Sequence, residues 1–545
     1  MERTDLIKAF TDNPIVLRDL RATMRGTRAF WFQAVYLGLL GILAVTGYAL
    51  STHQSLFDRL MGGDYTPRTF SIVDAQRQLQ QFYGFIFMTL GGLISLIAPA
   101  LTATSVSDER QRQSLDLLIT TPISATEMLV GKLMSSLAFL GVLLALSLPA
   151  SALCVLLGGS TIGDMFRIYS LLAMSAVVLA SIGLYFSCAC KNSLHSVIWT
   201  YVSVLSFIAI TFGIGFCLGE NGGITQASTA LPISIIGLLS PFGIIFGSSA
   251  NLVLGPVTIP FAIAILPVAF LTIRLLLTAA AYRFGTFGAE SGRSLRKQVL
   301  IMTGIVIPVF GYSISAKGGL LANYYANMTN SYDTSTPAFT SVVSVMWMIL
   351  AGLFALSLPF LPGLFVPVNA EDAPPGDAQT AQVERDNGYF SLSAMLLPRH
   401  SGALPYFYTW LGIAVIGLIL GISFGSRSHD LLTMQAILAG TLYVAGAGTL
   451  MWGLSRLAAR FIRAASTARS LAFGLFILFN AIPGLPLSLI TLESGEKPIA
   501  FLAWLQAPLL FITNRELVLP AILLSGTVAL VIGLVIGVVS KPQKA

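Results

Sequence analysis

The sequence predicts an all-α fold: a polytopic transmembrane helical bundle with about 12 spans. Three observations carry this reading. Hydrophobic residues make up 55% of the 545 positions, and charged residues only 10%. A soluble domain carries about a quarter charged residues, so this chain cannot wrap itself in a charged shell. The mean hydropathy is +0.81, and roughly a dozen apolar runs approach the ~20 residues needed to cross hydrocarbon.

The expected spans of the first half are 30–50, 83–104, 131–158, 168–188, 196–218 and 257–282. Those of the second half are 299–316, 339–360, 407–425, 431–451, 470–491 and 518–540. The net charge of +7 gathers in short loops, which speaks for topology and against a nucleic-acid partner. Residues 1–28 hold Arg3, Lys8, Arg18, Arg21, Arg25 and Arg28. The loop after the sixth span holds Arg283, Arg293, Arg296 and Lys297, and the loop after the tenth holds Arg456, Arg460, Arg463 and Arg469. Lys541 and Lys544 close the chain. Even numbers of spans separate these groups, so one orientation puts them all, and both termini, in the cytoplasm. The loop 361–406 fits least well, with only Arg385 and Arg399. Its core, 370–388, reads as a flexible linker.

Residues 1–29 form the first region. Within it NPIVLRDLRATMRGTR, residues 13–28, predicts an amphipathic helix capped by Asn13 with Pro14 at its first position. Arg18, Arg21, Arg25 and Arg28 line one face; Val16, Leu17, Leu20 and Met24 fall on the other. Such a helix suits the cytoplasmic membrane surface, or its arginines anchor the first span.

SVSDERQRQSLDLLITTPISATEMLVGK, residues 105–132, separates the second and third spans. Residues 106–119 suit a helix: Glu109 precedes Arg112 by three and Arg112 precedes Asp116 by four, spacings at which charges pair. Pro122 disfavours helix at Thr121. Ser124 and Glu127 then form a capping box that restarts the helix. The result is helix, break, helix, presenting Leu115, Asp116, Leu117, Leu118 and Ile119 on a short rod. It reads as a docking element for a partner, or as a surface helix folded back on its own protein.

DERQRQSLDLLITTPIS followed by GK resembles the cytoplasmic segment of ABC-2 type permeases, the membrane subunits of bacterial ABC exporters. NPIVLRDLRATMRGTRAFW is similar to the N-terminus of that family's larger members, and LLSPFG at 238–243 to a motif between its fifth and sixth spans. The resemblance covers roughly residues 10–290. It implies an ABC-2 type six-span core over 30–298 and a coupling helix at Leu115–Thr121. Glu109 and Pro122 flank that helix in the docking segment, and Thr120 lies within it. It implies a partner ATPase subunit that binds ATP and Mg, and a bacterial cytoplasmic (inner) membrane location, and it leaves room for a second permease copy. The chain itself has no GxxxxGK[ST] loop and no LSGGQ-like stretch, so no cofactor is expected in it. Residues 299–545 resemble no family. They read either as a degenerate six-span repeat, with 499–512 answering the first half's broken segment, or as a simple addition.

Residues 231–249 are apolar but interrupted by Pro232, Gly237, Pro241 and Gly243, which suits a re-entrant hairpin shielded by protein; a single kinked span is the alternative. Arg274, inside the sixth span, is a pathway residue or a snorkelling one. Cys154, Cys188, Cys190 and Cys217 form no CxxC pair, and the four histidines have no metal-binding spacing. An intramembrane enzyme would need a nucleophile and base or a metal site within the spans. A secondary transporter would show ionisable groups at mid-span, where Arg274 is nearly alone.

Overall fold

The computed structural model describes residues 27–52, 72–112, 125–156, 161–190, 192–217, 229–230, 232–247, 251–254, 257–284, 288–315, 395–396, 402–425, 431–461, 471 and 518–539. The fold is an all-α polytopic bundle. Eight helices among the described residues are long and apolar enough to cross a membrane. The chain divides into two compact units, 1–284 and 285–545. The expected spans 339–360 and 470–491, the segment 499–512 and nearly all of the 361–406 loop lie outside the described residues, as does the helix 13–26.

In the first unit α1 spans Thr27–Thr52, α2 Ile72–Ala103, the short α3 Ser107–Gln111, and α4 Ala125–Leu156. Then come α5 at Ile162–Ala189 and α6 at Ser193–Cys217. Side-chain contacts give their directions. Phe87 meets Tyr169, Thr102 meets Ala180, and Val106 meets Ser187, so α2 and α5 run parallel. Ser196 meets Ala103 while Tyr201 meets Leu96, so α6 runs antiparallel to α2. This is the alternation that consecutive crossings require. α5 is the central helix, buried along most of its length. It lies so close to α2 that a Cβ on Gly183 would fall 2.8 Å from the Pro99 carbonyl oxygen.

After α6 the chain departs from a pure helical reading. Thr229–Ala230, Asn251–Leu254 and Val257–Pro260 form a small three-stranded sheet, with β1 parallel to β2 and β2 antiparallel to β3. A 3-10 helix at Pro232–Leu239 and α7 at Pro241–Gly247 fill the expected broken segment. A Cβ on Gly243 would sit 2.0 Å from the Gly237 carbonyl oxygen, so the two pieces fold against each other at Ser240 instead of forming one kinked span. Leu238, Leu239 and Ile244 are buried. The sixth span is correspondingly later than expected: Val257–Pro260 are strand, the short α8 covers Phe261–Ala264, and α9 covers Leu266–Phe284.

In the second unit α10 spans Gly288–Ser315, α11 Ala403–Gly425, α12 Leu431–Phe461 and α13 Val518–Val539. α10 begins eleven residues before the expected 299, because the polar run GAESGRSLRKQ is helix and not loop. Trp410 donates from Nε1 to Thr303 Oγ1 at 2.9 Å, and Tyr406 donates from its hydroxyl to the Arg296 carbonyl at 3.0 Å. A Cβ on Gly421 would meet the Pro308 carbonyl at 2.2 Å. The matched order of these contacts makes α10 and α11 parallel. α12 and α13 are parallel too, with Gly446 against Gly526 and Gly453 against Gly533.

Candidate functional site

At one end of the first unit, α2 stops, α3 begins, α4 begins, α5 stops and α6 begins. The last carbonyls of a helix and the first amides of the next have no partner within their own helices. Here they find one another's side chains. Ser187, near the end of α5, accepts from the Val106 and Ser107 amides at 2.9 and 3.1 Å, satisfying the N-terminus of α3 from another helix. Ser196 donates to the Ala103 carbonyl and Thr102 to the Ala180 carbonyl.

The charges follow the same logic. Arg110 forks across the end of α5, donating to the Cys188 and Cys190 carbonyls at 3.2 Å each. A cation at a helix C-terminus is favoured by the helix dipole. Lys132, in the second turn of α4, is only 4% exposed. Its ammonium lies 2.8 Å from Glu109 Oε1 and donates to the Ser105 carbonyl at 3.0 Å. The Glu109 side chain is 19% exposed. Ser193, opening α6, donates to Asp108 and to Gln111 Oε1. Burial pushes the Cys190 thiol up, while the charges of Arg110 and of Arg283 at the end of α9 work against that shift.

This junction borders residues 113–124, the stretch that carries the expected docking rod. Leu115, Asp116, Leu117, Leu118, Ile119, Thr120, Thr121 and Pro122 lie outside the described residues, as does Ser124. The helix expected over 106–119 is described only as α3, set off from α2 by a turn at 104–106. Glu109, expected to pair along its own helix with Arg112, instead reaches Lys132 across the segment. Glu127 is exposed in the first turn of α4. Arg18, Arg21 and Arg25 lie outside the described residues, and Arg28 is placed only as backbone in α1. Arg274 sits on the exposed face of α9, its carbonyl accepting from Thr278. Arg296, counted above as a loop charge, is fully buried: it donates to the Met395 carbonyl at 2.8 Å and stacks over Tyr406.

Sequence reasoning singled out Glu109 and the glycine–lysine pair at 131–132, but not Ser105, Ser187, Ser193 or Ser196. The available signal was the density of serines at the ends of three apolar runs. Deeper in the bundle, Tyr169 bridges the Ser147 and Ser151 hydroxyls at 2.9 Å each, with Phe87 against its ring.

The family described as ABC-2 family transporter protein matches residues 14–221, which contain α1 through α6 and the whole junction between them. Neither the curated proteins nor the solved structures give a match. Over residues 14–221 the chain is thus similar to ABC-2 family transporter proteins, and its long apolar helices make it a multi-pass membrane protein.

Proposed function

We propose that the chain is the permease subunit of an ATP-driven exporter, powered by a separate nucleotide-binding subunit that holds ATP and Mg. That subunit docks on Leu115–Pro122, of which Leu115–Thr121 acts as the coupling helix, from the cytoplasm of a bacterial cell. The N-terminal arginines Arg18, Arg21, Arg25 and Arg28 lie on the same membrane face, and both termini are cytoplasmic. The observation that carries the proposal is the junction itself. Five helix ends are fastened together beside a segment whose sequence resembles a docking rod, inside the region that matches the ABC-2 family. A docking element transmits force only if its base is attached to the spans, and here the attachment is to α2, α4, α5 and α6.

Leu118→Asp tests the reading. A carboxylate in a desolvated groove is strongly disfavoured. Copurified ATPase should fall about tenfold or more, equivalent to a loss above ~1.4 kcal/mol, while membrane insertion is retained. An undiminished yield of ATPase with Leu118→Asp, or no ATPase with the unaltered chain, would overturn the proposal.

A further inference from the structure

We infer that the Glu109–Lys132 ion pair is a tie that makes the docking segment move together with the α5–α6 turn. The inference rests on the reading that an ATPase docks at 113–124. The two partners stand 23 residues apart, one on each side of that segment. Lys132 belongs to a membrane helix and Glu109 to the short helix α3. Lys132 is buried and also grips the Ser105 carbonyl, so the turn before α3 and the middle of α3 are both pinned to α4.

α3 has five residues and too few hydrogen bonds of its own to act as a rigid lever. What stiffens it is the ring of contacts. Its first amides are held by Ser187, Asp108 and Gln111 by Ser193, and Arg110 holds the carbonyls of Cys188 and Cys190. A displacement of the segment against α4 is therefore resisted by the ion pair, and is passed on through Arg110 and Ser193 to the turn between α5 and α6. With the pair broken, α4 can shift while α3 and the turn it grips stay where they are. Glu109 and Lys132 are thus positioning residues, and neither need touch the partner or the cargo.

Cys190 reports on the turn directly, because its carbonyl is one of Arg110's acceptors and it is partly exposed. The test uses the full chain with its copurified ATPase, Cys190 as the single cysteine, and a maleimide probe. In the otherwise unaltered complex, ATP with orthovanadate should change the labelling rate by about fivefold, the low end of ordinary coupling between sites. With Lys132→Met, or with the milder Glu109→Gln, the ATPase should still copurify and the nucleotide dependence should vanish. Persistence of that dependence in both variants would overturn the inference. So would loss of ATPase binding in both, which would make the pair part of the dock, or an unaltered complex whose Cys190 ignores nucleotide. Absence of any ATPase on the unaltered chain is the separate failure of the underlying reading.

Discussion

The two units hold their helices together by different means. In the first, beside the close packing of α5 on α2, side chains at one end of the long helices satisfy backbone groups of neighbours 78 to 93 residues away. In the second, fastening runs along the helices. Gly446 and Gly453 on α12 face Gly526 and Gly533 on α13, and Pro308 on α10 lies in the groove opened by Gly417 and Gly421 on α11. Without a hydrophobic driving force in lipid, backbone-to-backbone packing through small residues is what holds helices close. A connection at one end lets helices pivot about it, while a glycine seam over two turns fixes them along their length. The difference sets linked helix ends, beside the proposed docking segment, against a close lengthwise pairing in each helix pair of the second unit.

The sharpest way to break this contrast is to fill a seam. A Cβ on Gly533 would lie 2.5 Å from the Leu450 amide nitrogen, and backbone cannot yield as a side-chain tip does. Gly533→Leu should cost on the order of 5 kcal/mol, above ordinary overpacking and comparable to a whole domain's stability. Gly141 in α4 has nothing within 4 Å of its would-be Cβ. Gly141→Ala should be neutral or stabilising by up to ~1 kcal/mol through helix propensity. Thermal unfolding of the purified protein compares the two, and equal midpoints would deny that the seam holds α12 to α13.

The end-fastened unit breaks at its charges. Lys132→Met removes the ammonium 2.8 Å from the Glu109 carboxylate in a largely dry site, and breaking a buried pair by removing one partner costs about 3–5 kcal/mol. Removing both, as Glu109→Gln with Lys132→Met, should restore most of that loss, because no buried charge then loses its counter-ion. A double variant no more stable than Lys132→Met alone would show that the two side chains are not coupled.

How much of this was legible in the sequence follows from the range of each interaction. The long apolar runs read directly as helices, because a span's signal is local and needs no partner. α10 started early because its first turns are charged and small, GAESGRSLRKQ, a composition that reads as loop until Tyr406 and Met395 are seen to bury Arg296. The three short strands carried no periodic signal, each being four residues or fewer. The glycine seams were half legible: 446 and 453, and 526 and 533, recur at seven, two helical turns, but nothing in one helix names the other. The junction was least legible of all. Glu109 has a plausible local partner in Arg112, and only the fold reveals that it spends its charge on Lys132.

The finest test contrasts a hydrogen bond with an ion pair at the same helix start, at the end of α5 remote from the junction. Thr161 caps α5: its Oγ1 accepts from the Asp164 amide at 3.1 Å and donates to the Asp164 carboxylate at 2.6 Å. One turn on, Arg167 lies 3.0 Å from that same carboxylate, with both side chains about a third exposed. The cap satisfies a backbone donor that the helix cannot satisfy itself, whereas the pair merely exchanges one solvated geometry for another. Thr161→Ala should therefore lower stability by about 0.5–1 kcal/mol, and Arg167→Gln by less than ~0.5 kcal/mol, with even that difference fading in high salt. Thermal midpoints of the two variants at low and high salt measure both effects. If Arg167→Gln proved the costlier change at either ionic strength, charge and not backbone satisfaction would govern this end of α5, and the contrast between hydrogen-bonded ends and glycine seams would have to be redrawn around ion pairs.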